Sequence, residues 1–260
     1  MDILLSTSND RILNVKMLIK SIDFNQCKLL IGHQVTTELS LESQDMVDEL
    51  EDNPNVSYFS LSSTGVTKSR NYLIKKSMSE FIVFCDDDIQ YVPDSLYKIK
   101  QIMEREHLDV VTGITLTTNF IKLKNYKTHR FTHNKLSILK VGTVEVVARR
   151  SSVENIRFPE DMGAGEKFPI CDEPVYLARC IDNNLRVEFL PINISSHPPI
   201  TSGMDLSETS TQSRGLCFRR VFGIKGAFLL IPFAVKMKIK NNSLDIFSFA
   251  KNLFLGFNSR

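Results

Sequence analysis

The chain has 260 residues, 42% hydrophobic and 24% charged, with a formal net charge of +2. That is enough apolar material for one large domain or two small ones, and the near-neutral balance gives no global case for nucleic-acid binding. The longest apolar run, Ala227 to Val235, is far short of the about 20 residues that cross a bilayer.

Met1-Asp2 runs straight into Ile3-Leu4-Leu5 with no basic stretch or cleavage site, so a cytosolic protein is expected. The five cysteines (27, 85, 171, 180, 217) form no CxxC pair and read as reduced, mostly core thiols.

In chain order, Asp2 to Ser6 reads as a strand, and the polar turn Thr7-Ser8-Asn9-Asp10 offers an N-cap to a helix over Arg11 to Ile22. Leu13, Met17 and Ile22 would share its inner face. Cys27 to Gly32 is a second strand. Thr36 to Glu51 is a helix, stopped by Asn53-Pro54-Asn55. Val56 to Leu61 is a third strand, Ser62 to Gly65 a small-residue loop, and Lys68 to Ser79 a helix. Strand and helix alternate, which predicts a parallel sheet with right-handed crossovers.

The fourth strand is the informative one. Phe81-Ile82-Val83-Phe84-Cys85 is continuously apolar, as in a strand covered on both faces, and it ends in Asp86-Asp87-Asp88. Three adjacent carboxylates repel one another and titrate high unless a positive group sits among them. A divalent cation is the simplest such partner; a solvated acidic turn leading into the helix after Pro93-Asp94 is the plainer alternative. Ligands of open α/β sheets bind at the carboxyl ends of strands, where this turn falls.

Asp94 to Glu106 follows as a helix and Val110 to Thr117 as a strand. Asn119 to Lys140 is polar, basic and irregular, a long surface loop of the functional kind. Val141 to Ala148 reads as a strand with Glu145 inside it, at an exposed edge or in a site. Phe158 to Phe168 is a glycine-containing loop. Asp172-Glu173-Pro174 opens a helix to about Asn183, and two acids at a helix start suit capping as well as catalysis. Leu185 to Pro191 is the last core strand, followed by His197. Beyond Arg214 the chain turns basic and aromatic, ending in an amphipathic helix over Leu244 to Leu255. Such helices either pack on the domain or lie on an anionic membrane surface.

Taken together, these segments resemble the family 2 glycosyltransferases over about residues 2 to 200. Ile3 to Asn9 looks like the family's first strand and nucleotide-contacting turn. Gly65-Val66-Thr67-Lys68-Ser69-Arg70-Asn71 looks like its Gly-x-x-x-Ala-Arg-Asn segment. Asp86 and Asp88 occupy the two places of its DxD motif. Gly163-Ala164-Gly165 with Asp172-Glu173 looks like the region of its acidic pair, and His197 falls where many members carry His. Ile31-Gly32-His33-Gln34 stands where the family often has an Asp, and the Gln-x-x-Arg-Trp segment of processive members is absent.

The resemblance implies the GT-A fold: an α/β, Rossmann-like, mixed and mostly parallel sheet flanked by helices. A catalytic domain would span 1–205, with a nucleotide half over about 1–92 and an acceptor half over about 93–205, and a basic helical extension would follow over 206–260. It implies an inverting, metal-dependent enzyme moving one sugar from a nucleotide-diphosphate sugar to a glycan or lipid-linked acceptor in surface polysaccharide synthesis, at the inner face of the cell membrane. Glu173, with Asp172 as the alternative, would be the base. Asp88, Asp86 and His197 would hold Mn²⁺ or Mg²⁺. Thr7, Ser8, Asn9, Lys68, Arg70, Asn71, Asp86 and Asp87 would contact the donor. For Arg70 a helix-surface ion pair, and for His197 a structural role, are the plainer readings. A nucleotidyltransferase would place a glycine-rich basic loop after the first strand, and Thr7 to Asp10 has neither Gly nor Lys. A non-catalytic glycan- or partner-binding relative is the other alternative.

Overall fold

The computed structural model describes residues 1–199 and 202–259. Among the described residues the core is one mixed sheet of nine strands in the order β3-β2-β1-β4-β8-β6-β9-β5, with β7 paired to β9. The strands are β1 (Asp2–Ser8), β2 (Lys28–Gln34), β3 (Val56–Leu61), β4 (Phe81–Cys85), β5 (Gln90–Tyr91), β6 (Val110–Thr117), β7 (Phe131–Thr132), β8 (Val146–Arg149) and β9 (Val187–His197). The first four pair in parallel, as strand–helix alternation predicts. Beyond β4 the sheet turns mixed, because β8 lies antiparallel between β4 and β6.

The helices are α1 (Val15–Ile19), α2 (Leu41–Glu51), α3 (Val66–Lys76), α4 (Ser95–Glu106), α5 (Arg150–Val153), α6 (Asp172–Asp182), α7 (Glu208–Phe222), α8 (Ala227–Lys240) and α9 (Ile246–Phe257). Two apolar clusters cover the two faces of the sheet. One gathers Leu4, Phe84, Val146 and Tyr176; the other gathers Ile3, Leu5, Val83 and Val147. Alternate residues of β1 and β4 enter opposite clusters, the period of a strand buried on both sides.

Several local expectations change. The helix expected over Arg11 to Ile22 is a 3-10 segment over Asn9–Asn14 and the short α1. Its buried residues are Ile12, Val15 and Leu18, spaced by three, while Met17 is exposed. Asn9 causes this: it takes a positive φ of 45°, and its Oδ1 accepts from the Thr36 and Thr37 amides at 2.9 and 3.3 Å. The same contacts hold residues 36 and 37 out of the following helix, which starts only at Leu41, after the Ser40 cap. Glu145 is not inside a strand. It ends a 3-10 turn over Thr143–Glu145, is buried, and accepts from Lys124 Nζ and Tyr126 Oη, both at 2.7 Å. That ion pair anchors part of the basic 119–140 segment against the sheet.

The C-terminal helices are not one uniform layer. α7 adds Leu216, Cys217 and Val221 to the main core. α8 and α9 build a separate cluster with Phe218, from Leu230, Ala234, Phe249, Leu253 and Phe257. α7 and α9 cross at glycines: a Cβ on Gly215 would lie 2.0 Å from Leu253 O, and one on Gly256 would lie 1.9 Å from Gln212 O. Among the described residues no helix is long and apolar enough to cross a membrane.

Candidate active site

β1 and β4 are neighbours in parallel register, Leu5 beside Cys85, so the turn after β1 and the acidic turn after β4 emerge side by side. β5 pairs Gln90 with Ser196 of β9, which brings the end of β9 to the same edge. A cavity of about 1470 Å³ opens there, at the carboxyl ends of the first strands. Thr7, Ser8, Asn9, Arg70, Asp86, Asp87, Asp88, Asp172, Glu173 and His197 all line it. Lys68 and Asn71 do not. Lys68 Nζ is paired with Glu166 Oε1 at 2.6 Å, and Asn71 Nδ2 donates to Phe158 O and Glu160.

The three carboxylates of the acidic turn meet different partners. Asp87 is buried and accepts from the Thr7 hydroxyl at 2.6 Å, from Arg11 Nε and Nη2 and from Asn14 Nδ2. Asp86 accepts from Arg70 Nη2 at 3.0 Å. Asp88 faces His197, with Nε2 at 3.4 Å from Oδ1, and that Oδ1 is buried without a hydrogen-bond partner among the described residues. Burial pushes the Asp88 pKa up, with His197 and Arg11 pulling it down and Asp86 and Asp87 adding to the rise.

An orphaned carboxylate oxygen beside an imidazole suits an oxygen- and nitrogen-coordinated cation. Asp88 and His197 are the side chains of this wall that could hold a divalent cation. Asp86 is engaged by Arg70, and among the described residues no group of three or more His, Cys, Asp and Glu side chains is gathered for a metal. A cation here would complete its shell with oxygens of its ligand, the usual habit of Mg²⁺ at phosphate sites.

Arg70 is the bridge of the site. It is buried, donates from Nη1 to Asp172 Oδ2 at 2.7 Å and from Nη2 to Asp86, and lies 5.5 Å from the Phe158 ring. It joins α3, the acidic turn and the first residue of α6. The helix-surface ion pair that the sequence alone allowed is therefore an internal one. Burial, and next the Glu173 carboxylate, push the Asp172 pKa up to about 7 against the pull of Arg70. Glu173 is only half-buried and accepts a short hydrogen bond from the Thr143 hydroxyl.

The two glycine segments singled out in the sequence meet directly. Val66 N donates to Ala164 O at 2.9 Å, and Thr67 Oγ1 donates to Met162 O at 3.0 Å. Gly65, Gly163 and Gly165 all have positive φ, and a Cβ on Gly163 would lie 3.2 Å from Asp172 Cγ. This packing sets the entry of α6, and with it the acidic pair.

Sequence reasoning missed three cavity residues. Arg11 neutralises Asp87, although nothing in its local pattern distinguishes it from a helix-surface Arg. Gln34 extends β2 past Gly32 and donates to Gly65 O at 3.0 Å, tying the second strand to α3. Arg214 belongs to α7 and lines the cavity, 8% exposed.

Residues 40–157 match the family described as Glycosyl transferase family 2. No curated protein matched the sequence. Among solved structures, the fold is similar to that of S. aureus TarS, with a TM-score of 0.65 and 14% identity over 92% of this chain. This chain spans 43% of that protein. TarS 1-349 in complex with UDP-GlcNAc gives a TM-score of 0.65 at 14% identity, covering 94% of this chain and 73% of that one. The mannosyltransferase PcManGT from Pyrobaculum calidifontis, solved with GDP-Man and Mn²⁺, gives 0.60 at 10% identity, covering 98% and 85%. The matched segment reaches from the Ser40 cap through the acidic turn to Arg157, in a chain whose fold is similar to that of those enzymes.

Proposed function

We propose that this chain is a family 2 glycosyltransferase that inverts the anomeric centre. It would move one sugar from a nucleotide-diphosphate donor to a hydroxyl of a glycan or lipid-linked acceptor, in surface polysaccharide synthesis at the inner face of the cell membrane. The observation that carries the reading is one cavity with Asp88 and His197 in its wall together with the half-buried Glu173. The donors named for the two solved enzymes, UDP-GlcNAc and GDP-Man, support a nucleotide sugar here.

Thr7, Ser8, Asn9 and Asp86 line the donor end, and Arg70 adds positive charge beside it. Mn²⁺ or Mg²⁺ at Asp88 and His197 would neutralise charge growing on the departing diphosphate. Glu173 takes the proton of the acceptor hydroxyl. The hydroxyl oxygen bonds to the anomeric carbon as the bond from that carbon to the diphosphate oxygen breaks, and the nucleoside diphosphate leaves. One displacement inverts the centre. The partial exposure of Glu173 supports it as the base; Asp172, buried and ion-paired to Arg70, is better suited to holding that arginine. Asp87, Lys68 and Asn71, with their side chains engaged by protein groups, would support the donor site rather than touch the donor.

A membrane location is supported by an apolar stripe running from the turn before α8 along that helix. Ile224, Phe228, Ile231, Val235 and Ile239 are exposed at helical spacing, Phe228 at 82% and Ile239 at 79%, with Lys225, Lys236 and Lys240 beside them. That is the pattern of a helix lying in an anionic interface.

Proton NMR of the product tests the reaction. A transferred sugar of inverted anomeric configuration with stoichiometric nucleoside diphosphate is expected; retained configuration would overturn the mechanism. Co-sedimentation with anionic but not neutral vesicles tests the location, and equal sedimentation with both would overturn it.

A further inference from the structure

Glu145 is a carboxylate taken out of water, 2% exposed, and every partner it has is a donor from the chain. Its Oε1 accepts from Lys124 Nζ and Tyr126 Oη, both at 2.7 Å, and its Oε2 accepts from Gly142 N at 3.3 Å. A buried carboxylate needs such partners. Tyr126 is itself held, stacked on Phe189 and accepting from Thr115 N at 3.3 Å. Burial, and next the Glu145 carboxylate, push the Tyr126 pKa up, so the phenol keeps the proton it donates. Lys124 Nζ also donates to Lys140 O at 2.7 Å, which ties the two ends of the 124–140 stretch together beside Glu145.

This fastening fixes a short turn. Glu145 N donates back to Gly142 O at 3.1 Å and closes the 3-10 turn over Thr143–Glu145, which packs against β4, β6 and β9. Thr143 is 3% exposed, and its hydroxyl donates to Glu173 Oε1. Among the described residues that is the one side-chain hydrogen bond made to the Glu173 carboxylate, and it leaves Oε2 without a protein partner. An unanchored, half-exposed glutamate samples several rotamers. A hydroxyl on a rigid turn selects one of them. Lys124, Thr143, Glu145 and Glu173 all line the cavity.

We propose that Thr143 is the positioning residue of the base. Fastened through Glu145 to Lys124 and Tyr126, it holds the Glu173 carboxylate by Oε1 and leaves Oε2 for the proton of the attacking hydroxyl. This rests on the glycosyltransferase reading with Glu173 as base. It gives the irregular 119–140 segment a part in the rate of transfer, since changes there reach the base through Glu145.

The test is turnover of UDP-GlcNAc and of GDP-Man by the full chain with Mn²⁺, water serving as acceptor. In that reaction Glu173 takes the proton of a water whose oxygen bonds to the anomeric carbon as the nucleoside diphosphate leaves. Thr143→Val, close to the native shape, should lower kcat about tenfold or more, the usual worth of a hydrogen bond to a charged group, with the donor KM unchanged. Thr143→Ser should restore most of the rate, and Tyr126→Phe should lower kcat severalfold. In the Glu173→Gln background Thr143→Val should cost nothing further, because it acts only through that carboxylate. An unchanged kcat in Thr143→Val, or the same loss in both backgrounds, overturns the positioning role; an unchanged kcat in Tyr126→Phe overturns the fastening. Urea unfolding reads the contact without turnover. Thr143→Val and Glu173→Ala together should lose less stability than the sum of the single changes, and additive losses overturn it. Equal turnover by Glu173→Gln would instead count against Glu173 as base, and failure of UDP and GDP to bind with Mn²⁺ would count against the glycosyltransferase reading. Neither of these alters the unfolding result, so the failures are read separately.

Discussion

The Arg70 guanidinium donates to the Asp172 carboxylate at 2.7 Å, and both side chains are buried. Through this contact the first residue of α6 is held against α3 and, by the second nitrogen of Arg70, against the acidic turn after β4. The carboxylates of the acidic turn and of the α6 start, Asp86 and Asp172, therefore share one cation. Removing one partner of a buried ion pair leaves a charge in a medium that solvates it poorly, a loss of about 3–5 kcal/mol. Arg70→Gln should lose that much in urea unfolding, and Arg70→Gln/Asp172→Asn should lose less than the sum of the two single changes. Additive losses would show that the pair does not act as a unit.

Glu173→Gln keeps the size of the side chain and its contact with Thr143 while removing the proton acceptor. Transfer should fall by about 10²–10⁴-fold with nucleotide binding unchanged. Asp172→Asn should instead lower both, since it releases Arg70. Titration and turnover measured on the same preparations separate the two.

His133 gives the fold an acid limit. Its nitrogens meet Thr112 Oγ1 at 2.8 Å and Ser137 Oγ at 2.9 Å, the Phe131 and Phe189 rings pack against it, and Glu188 is the charge nearby. Burial pushes its pKa down from 6.5 to about 4, against the pull of Glu188. The folded chain thus refuses a proton that the unfolded chain accepts. The stabilisation is fully present above pH 6.5 and is lost as pH falls toward 4, in all on the order of 3 kcal/mol. His33, also lowered by burial, acts in the same direction. Thermal unfolding from pH 7 to 4.5 should show this loss, and His133→Gln should flatten it.

The crossing of α7 and α9 depends on Gly215 and Gly256, where a Cβ would meet backbone of the other helix. Gly256→Ala should shift α9 and cost about 1–3 kcal/mol. Limited proteolysis should then cut near residues 241–245 faster than in the unaltered chain, with β1 to β4 as protected as before.

The strand–helix order of the first ninety residues was legible because β1 and β4 are apolar on both faces and their connections carry turn chemistry. The acidic turn stands out as a candidate site for the same reason, since three carboxylates after a buried strand need partners. What escaped the reading is long-range. Asn9 breaks the first helix by binding Thr36 and Thr37, and no local pattern announces that. The convergence of Arg11, Thr7 and Asn14 on Asp87 from the segment after β1 is likewise invisible to local pattern. Arg214 read as one more cation in a basic tail until α7 turned it into the cavity. Glu145 was open between an edge and a site; its partners Lys124 and Tyr126 lie about twenty residues earlier in the chain, across the irregular segment.

The central claim is that Asp88 and His197 form the metal-assisted donor end of a sugar-transfer cavity. Its most direct test is donor turnover across a panel of nucleotide sugars, with Mn²⁺, with Mg²⁺ and with chelator, for the unaltered chain and for Asp88→Ala. One donor should release its nucleoside diphosphate in a metal-dependent way, and Asp88→Ala should abolish that release while the chain stays folded. Turnover that persists in chelator, or that Asp88→Ala leaves intact, would contradict the account.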